Sequence, residues 1–334
     1  MRRPWLAPLI PLYAAGSALR WASLNAGLAS PHRLGWPVVS VGNLSTGGAG
    51  KTPFTIALAR LLLSRGHPVD VLSRGYGRRS RAVERVDPNG NALDFGDEPL
   101  LIARETGVPV YVGAERRRAG KLAESEAILG NPARIHLLDD GFQHRQLARQ
   151  IDIVLVNSAD LDDSLLPAGN LREGVAALRR AHAFAVAVDD DAAAETLRRR
   201  GFRQPVWRYR RQMTAPSLPP SLAGKPVVAF CGIARPEQFF SGLANLGVPI
   251  AARRSFPDHH LYRPVDLNGL RQLAASSGAA ALITTAKDLC RLGALATVDG
   301  IPMLTAGLQA IPEDEEGLAS WLEGSLQQKM NSAS

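Results

Sequence analysis

The stretch Pro37-Val38-Val39-Ser40-Val41-Gly42-Asn43-Leu44-Ser45-Thr46-Gly47-Gly48-Ala49-Gly50-Lys51-Thr52-Pro53 decides the fold. Pro37 to Val41 is a β-branched run that reads as a short strand, and Pro53 to Leu63 is an apolar, helix-like stretch. The glycines between them let the backbone curl around an anion with successive N–H groups pointing inward, and the following helix offers its positive N-terminus. Lys51 supplies a charge for the β and γ phosphates of a nucleotide. Thr52 places a hydroxyl where a nucleotide-bound Mg²⁺ would sit, and Pro53 suits a first helical turn, where its missing N–H is not needed. The strict pattern G-x-x-x-x-G-K-[ST] asks for glycine at position 45, where this chain has Ser45, but the Gly-Lys-Thr end is intact. Thr46, Gly47, Gly48, Ala49, Gly50, Lys51 and Thr52 are therefore the expected ATP-binding loop.

Outward from this loop the alternation continues. Val69 to Leu72, Val108 to Val112, Ile135 to Leu138 and Ile151 to Val156 read as strands, with a helix over Ala114 to Leu129. This pattern predicts an α/β fold with a doubly wound, mostly parallel sheet covered on both faces. Between Phe202 and Gly224 the composition changes, from aromatic and basic Trp207-Arg208-Tyr209-Arg210 to a Pro/Ser-rich stretch from Thr214 to Ser221. The expected organisation is a P-loop core over residues 31–205, a linker over 206–222 and a second, smaller α/β domain over 223–330. Pro226 to Phe230, Pro236 to Leu246, Ala280 to Thr284, Pro302 to Thr305 and a closing helix from Glu315 to Leu326 make up the latter.

With 334 residues and 46% hydrophobic content the chain has ample material for two cores. Cys231 and Cys290 are too few for a disulfide framework, although a pair could bridge. The formal charge of +8 favours anionic partners: phosphates, an acidic membrane surface or nucleic acid. Only five of the 39 basic residues are lysine, and Arg116-Arg117-Arg118 and Arg198-Arg199-Arg200 read as solvated helix faces. No aromatic-basic recognition motif supports nucleic acid. Residues 1–30 carry an uncharged run from Trp5 to Leu19, with Leu9, Leu12, Ala15, Leu19 and Ala22 at helical spacing. Such a helix either packs on the protein's own core or lies in a membrane interface. Pro8, Pro11 and Arg20 leave it short of the roughly 20 apolar residues that span a bilayer.

The acidic motifs follow. Asp139 and Asp140 end an apolar strand, where a P-loop fold holds the acid that secures Mg²⁺ directly or through water, and either could do it. Gly96-Asp97-Glu98-Pro99 reads first as a helix N-cap, with Asp97 free to serve chemistry if it faces the crevice beyond the strand ends. Phe256-Pro257-Asp258-His259-His260 places adjacent histidines beside a carboxylate, and zinc is disfavoured without further ligands.

In order along the chain, these motifs resemble the tetraacyldisaccharide 4'-kinase (lipid A 4'-kinase) family. The matching segments are Val41-Gly42-Asn43 through Pro53, Ser73-Arg74-Gly75-Tyr76-Gly77, Gly96-Asp97-Glu98-Pro99, Asp139-Asp140-Gly141-Phe142-Gln143-His144, Leu166-Pro167-Ala168-Gly169 with Leu171-Arg172-Glu173, Phe256 to His260, and Thr284-Thr285 with Lys287-Asp288. Ala286 stands where that family's pattern has Glu. The resemblance implies transfer of the γ-phosphate of Mg-ATP to the 4'-hydroxyl of tetraacyldisaccharide 1-phosphate, giving lipid IVA, by a peripheral protein at the cytoplasmic face of the inner membrane. It implies Thr52, Asp139, Asp140 and Glu98 around Mg²⁺. Asp97 would be the base, with His259 or His260 orienting it, and Arg74, Tyr76, Arg116 and Arg172 would hold substrate. The competing reading is a membrane-associated P-loop ATPase switch that passes phosphate only to water, which would release inorganic phosphate and label no lipid.

Overall fold

Strands buried on both faces must be nearly continuous aliphatic runs, because helices cover both sides of a parallel sheet. The computed structural model describes residues 3–25, 31–127, 134–214, 220–297 and 300–331. Its strands are Val38–Asn43 (β1), Val69–Ser73 (β2), Glu84–Arg85 (β3), Val110–Val112 (β4), Ile135–Asp139 (β5), Ile151–Val156 (β6), Ala183–Ala187 (β7), Val206–Thr214 (β8), Val227–Cys231 (β9), Ile250–Ser255 (β10), Ala281–Thr285 (β11) and Met303–Pro312 (β12). They form one 12-stranded sheet in the order β10-β9-β11-β12-β8-β7-β6-β1-β5-β2-β4-β3. Every pairing is parallel except β3 with β4 and β8 with β12. The fold is thus α/β, with a P-loop core and a smaller parallel unit, as the alternation predicts.

The antiparallel β8–β12 joint decides where a site can be. Thr214 pairs with Gly307 and Thr285 with Ala306, so the carboxyl ends of the small unit's strands come level with the carboxyl end of β8. Both units therefore turn their strand ends, the ligand-binding edges of open α/β sheets, toward one cleft.

The expected linker over 206–222 is corrected in its first half, where Val206–Thr214 is a nine-residue strand. Residues 215–219 lie outside the described residues. The closing helix Glu315–Asn331, placed with the smaller unit by sequence order, sends Leu318, Leu322 and Leu326 into the core that also contains Phe54, Leu58 and Leu62 of the helix Lys51–Ser64. The small unit keeps its own cores, with Phe239, Phe240 and Leu243 on one face of the sheet and Leu267, Leu270 and Ala274 on the other. Cys231 and Cys290 are buried free thiols and do not bridge.

At the amino end, a 3-10 turn Pro4–Leu9 leads into the helix Ile10–Asn25, and residues 26–30 lie outside the described residues, as do the side chains of Leu19 and Ala22. Arg3 N donates to Ala168 O at 2.6 Å and Tyr13 Oη to Arg172 O at 3.1 Å, which seats the segment beside the Leu166-to-Arg172 loop. Trp5 and Leu12 are 76% and 73% exposed, so this part of the stripe is not packed on the protein's own core. Among the described residues no helix is long and apolar enough to cross a membrane.

One glycine reports how tightly the phosphate loop is set. A Cβ on Gly42 would lie 2.5 Å from Phe142 Cβ and 2.8 Å from Phe142 N, so β1 and the Asp139-to-His144 turn touch backbone to backbone. Gly42→Ala is expected to cost about 1–3 kcal/mol of stability, the range for overpacking, read as a lowered urea midpoint with unchanged slope.

Candidate active site

The loop after β1 turns through Gly47 and Gly50, at φ 106° and 81°, and the helix begins at Lys51 with no side chain capping its N-terminus. Its first amides are thus left for an anion. Lys51 Nζ donates to Asn43 Oδ1 at 3.0 Å and lies 3.5 Å from Asp140 Oδ1. Ser45, the departure from the strict pattern, is buried and donates to Asp160 Oδ2 at 2.9 Å. Asp139 closes β5 and accepts from Thr55 Oγ1 at 3.2 Å, while the next residue, Asp140, takes a left-handed φ of 54°. Arg172 Nη1 donates to Asp140 Oδ2 at 2.8 Å and to Gln143 Oε1 at 3.2 Å. Burial, followed by the charges of Glu98 and Asp140, pushes the Asp139 carboxyl up. Burial would do the same to Asp140, but Lys51 and Arg172 outweigh it and hold Asp140 below its ordinary value.

A second cluster forms beside this one, where His259, Lys287 and Arg291 of the small unit meet Asp97 and Glu98 of the core. Asp97 is the first residue of its helix, not the N-cap, which is Gly96. Its Oδ2 accepts from Arg291 Nε at 2.7 Å and lies 3.1 Å from His259 Nδ1, and its Oδ1 accepts from Glu98 N at 2.9 Å. Burial alone would raise the Asp97 carboxyl, but the His259 hydrogen bond with the charges of Lys287 and Arg291 holds it well below the usual carboxylate range. The hydrogen bond to Asp97 in turn raises His259. His259 takes a left-handed φ of 57°, a strained conformation of the kind concentrated at functional sites. Lys287 pairs with Glu98. Arg291 also donates to Asp288 Oδ1 at 2.9 Å, and all three members of the Asp97–Arg291–Asp288 set are buried. Removing the shared cation would take from buried Asp288 its ion-pair partner and leave buried Asp97 with only His259 and Lys287, so Arg291→Met is expected to cost about 3 kcal/mol in denaturant unfolding.

Both clusters open on one cleft of about 1510 Å³, lined among others by Lys51, Thr52, Glu98, Asp139, Asp140 and His259. Arg74, Tyr76, Arg116 and Arg172 line it too. Tyr76 stands with its ring 5.2 Å from that of His259. Arg116 is not the solvated residue its arginine run suggests: it is buried, donates to Gly113 O and Ala114 O at 3.3 and 3.2 Å, and is drawn down to about 10 by that burial, which leaves it charged at neutral pH. His260 is a correction. Its Nε2 lies 3.1 Å from Asp266 Oδ2 and its ring stacks on Phe256 at 4.7 Å, so it turns away from Asp97. Asn43, Asp160, Lys287 and Arg291 escaped the sequence reading as site residues. Asn43 and Lys287 lie inside matching motifs that carried no role for them, Arg291 lies just past one, and no motif pointed to Asp160.

Among the described residues no three His, Cys, Asp or Glu side chains converge into a self-sufficient metal cage. Mg²⁺ bound with a nucleotide needs only one or two carboxylates, the phosphates and water. The donor set fits that role: Asp140 Oδ1 is buried without a hydrogen-bond partner, and Asp139 sits beside further carboxylates whose charge a divalent cation would offset. Glu98 is already engaged by Lys287, which makes it the weaker ligand candidate.

The sequence model of the tetraacyldisaccharide-1-P 4'-kinase family matches residues 2–327. A tetraacyldisaccharide 4'-kinase of Koribacter versatilis (strain Ellin345) is 45% identical over 297 residues, covering 86% of this chain and 88% of the relative. One of Anaeromyxobacter sp. (strain Fw109-5) is 41% identical over 318 residues, covering 88% and 84%. The crystal structure of LpxK from Aquifex aeolicus in complex with ATP superposes with a TM-score of 0.76 at 32% identity, covering 96% of this chain and 98% of that one. With a family match along nearly its whole length and relatives well above 30% identity, the chain belongs to the tetraacyldisaccharide-1-P 4'-kinase family.

Proposed function

We propose that the protein transfers the γ-phosphate of ATP to the 4'-hydroxyl of tetraacyldisaccharide 1-phosphate, giving lipid IVA in lipid A biosynthesis. The observation that carries this reading is the meeting, in one cleft, of an uncapped phosphate loop with Lys51 and Asp97 from the core and of His259 from the small unit across the β8–β12 joint. A phosphate donor and a hydroxyl acceptor need to meet in that way.

Phosphoryl transfer passes through a loose transition state, so positioning and charge neutralisation do most of the work. Lys51 and the loop amides from Thr46 to Thr52 hold the β and γ phosphates. Thr52 with Asp139 or Asp140 would hold Mg²⁺, which would supply neutralisation of the transferring oxygens. Asp97 is only 5% exposed with both oxygens engaged, whereas the His259 side chain is 34% exposed and lines the cleft. His259 is accordingly the group that takes the proton of the 4'-hydroxyl, and Asp97 orients it and raises its basicity, which refines the expectation that Asp97 is the base itself. Arg74, Tyr76, Arg116 and Arg172, which line the cleft, bind the acceptor and its phosphate in this reading. The small unit acts as the second jaw of the cleft, and closure around the lipid headgroup keeps water from the γ-phosphate.

The exposed Trp5, Leu9 and Leu12, tied to the cleft rim through Tyr13 and Arg172, suit a peripheral position on the cytoplasmic face of the inner membrane, where the acyl chains of the acceptor stay in lipid. The test is transfer of labelled γ-phosphate to tetraacyldisaccharide 1-phosphate in detergent micelles. Label in lipid supports the kinase, and label only in inorganic phosphate would move the reading to an ATPase switch.

A further inference from the structure

The departure of Ser45 from the strict phosphate-loop pattern has a use in the fold. Asp160 belongs to the short helix Ser158–Leu161, and its Oδ2 accepts from Ser45 Oγ at 2.9 Å and from Asn157 Nδ2 at 2.9 Å. Asn43 Nδ2 reaches Ser45 Oγ at 3.1 Å, and Lys51 Nζ reaches Asn43 Oδ1 at 3.0 Å. Asn43, Ser45 and Asp160 are 0%, 4% and 5% exposed, so water does not compete for these bonds.

The direction of each bond follows from which atoms can donate. Burial raises the Asp160 carboxyl, while the Ser45 and Asn157 hydrogen bonds and the charge of Arg235 pull it back toward the ionised form; in that form it only accepts, so the Ser45 hydroxyl must give its proton to Asp160. Its oxygen then has only lone pairs left for Asn43, which must present its amide N–H to Ser45. That choice leaves the carbonyl oxygen of Asn43, and not its NH₂, facing the ammonium of Lys51. An amide turned the other way would set N–H donors against a cation that has no acceptor to offer.

We propose that Asp160 and Ser45 are positioning residues for nucleotide binding: acting through the orientation of Asn43, they hold the Lys51 ammonium where the phosphates of ATP need it. A glycine at position 45 would have no hydroxyl to relay this, so here the strict motif would be the poorer sequence. The inference rests on the reading of residues 46–52 as the ATP loop.

The experiment measures Mg-ATP binding by calorimetry and the KM values for ATP and lipid acceptor in the full-length protein. Asp160→Asn gives the position a donor, frees the Ser45 hydroxyl to donate to Asn43 and lets that amide turn. ATP binding is expected to weaken about tenfold, with the acceptor KM unchanged. Ser45→Gly, which restores the strict pattern, is expected to lose a similar factor. In an Asn43→Ala background, Asp160→Asn is expected to add less than about twofold, because the relay is already broken. Wild-type ATP affinity in Ser45→Gly, or an undiminished Asp160→Asn loss in the Asn43→Ala background, overturns the proposal. Should Asp160→Asn fail to fold, Ser45→Gly and Ser45→Ala leave the Asp160–Asn157 contact in place and decide alone. A wild-type protein that binds Mg-ATP but labels no lipid would overturn the kinase reading and leave this inference standing.

Discussion

Lys51→Ala is expected to lower kcat/KM for ATP about a thousandfold, the scale for removing one preorganised charge from a developing oxyanion. The ammonium is largely buried and fixed by Asn43 at 3.0 Å and Asp140 at 3.5 Å, so its orientation is set before nucleotide arrives. Its loss acts twice. The phosphates lose their cation, and the aspartates lose a charge that holds them ionised, since Lys51 pulls both Asp139 and Asp140 downward. Asp140 keeps Arg172 at 2.8 Å, but Asp139, already raised by burial, moves further toward its neutral form and becomes a poorer magnesium ligand. The variant should therefore also need more Mg²⁺ for half-maximal rate. Arginine should not restore activity, because its planar fork cannot occupy the place of a compact ammonium. Labelled-phosphate transfer, with thermal unfolding to confirm folding, checks this; a rate within tenfold of wild type would remove Lys51 from the phosphate-binding role.

How far the sequence could be read depends on which force sets each element. β1, β5 and β6 are legible because burial on both faces demands mostly aliphatic residues, broken here by buried polar groups such as Ser40, His136 and Asp152, and the helix after the loop begins within its Gly-Lys-Thr signal, at Lys51. β8 reads as linker from sequence because Val206–Thr214 is exposed at much of its length and carries arginines, so neither periodicity nor hydrophobicity marks it. Its pairing with β12 is set by a partner about a hundred residues away, which no local pattern reports. The same limit applies at the site. Lys51, Asp139 and Asp97 sit in local motifs, whereas the Arg291 bond to Asp97 spans 194 residues and the Ser45 bond to Asp160 spans 115. His259 and His260 are neighbours in sequence with the same chemistry. Only the left-handed backbone at His259 sends one ring to Asp97 while the other stacks on Phe256.

The dyad gives the second large effect, and pH separates its two members. His259→Ala is expected to reduce kcat by about 10²- to 10⁴-fold, the usual contribution of a positioned general base. In the wild type the hydrogen bond and charge of Asp97 raise His259 above its ordinary value of 6.5. A raised value keeps the imidazole protonated, and so unable to accept the hydroxyl proton, to higher pH. The rate should thus climb with pH through an inflection above 6.5 and then level off. Asp97→Asn removes the carboxylate that raises His259 and leaves Arg291, whose charge lowers it, so the inflection should move down in pH while the plateau falls. The two changes run in opposite directions in usefulness: more of the imidazole is neutral at low pH, but it is a weaker and less well oriented base. If Asp97 took the proton directly, its depressed pKa would put the acid limb far below neutrality. His259→Ala would then leave a flat profile between pH 6 and 8 at a modestly lower rate, with "modest" meaning less than about tenfold. A pH profile of kcat for the wild type and both variants, at saturating ATP and acceptor, distinguishes the assignments. An inflection that stays in place in Asp97→Asn would mean that another group, not the Asp97-coupled imidazole, controls the proton.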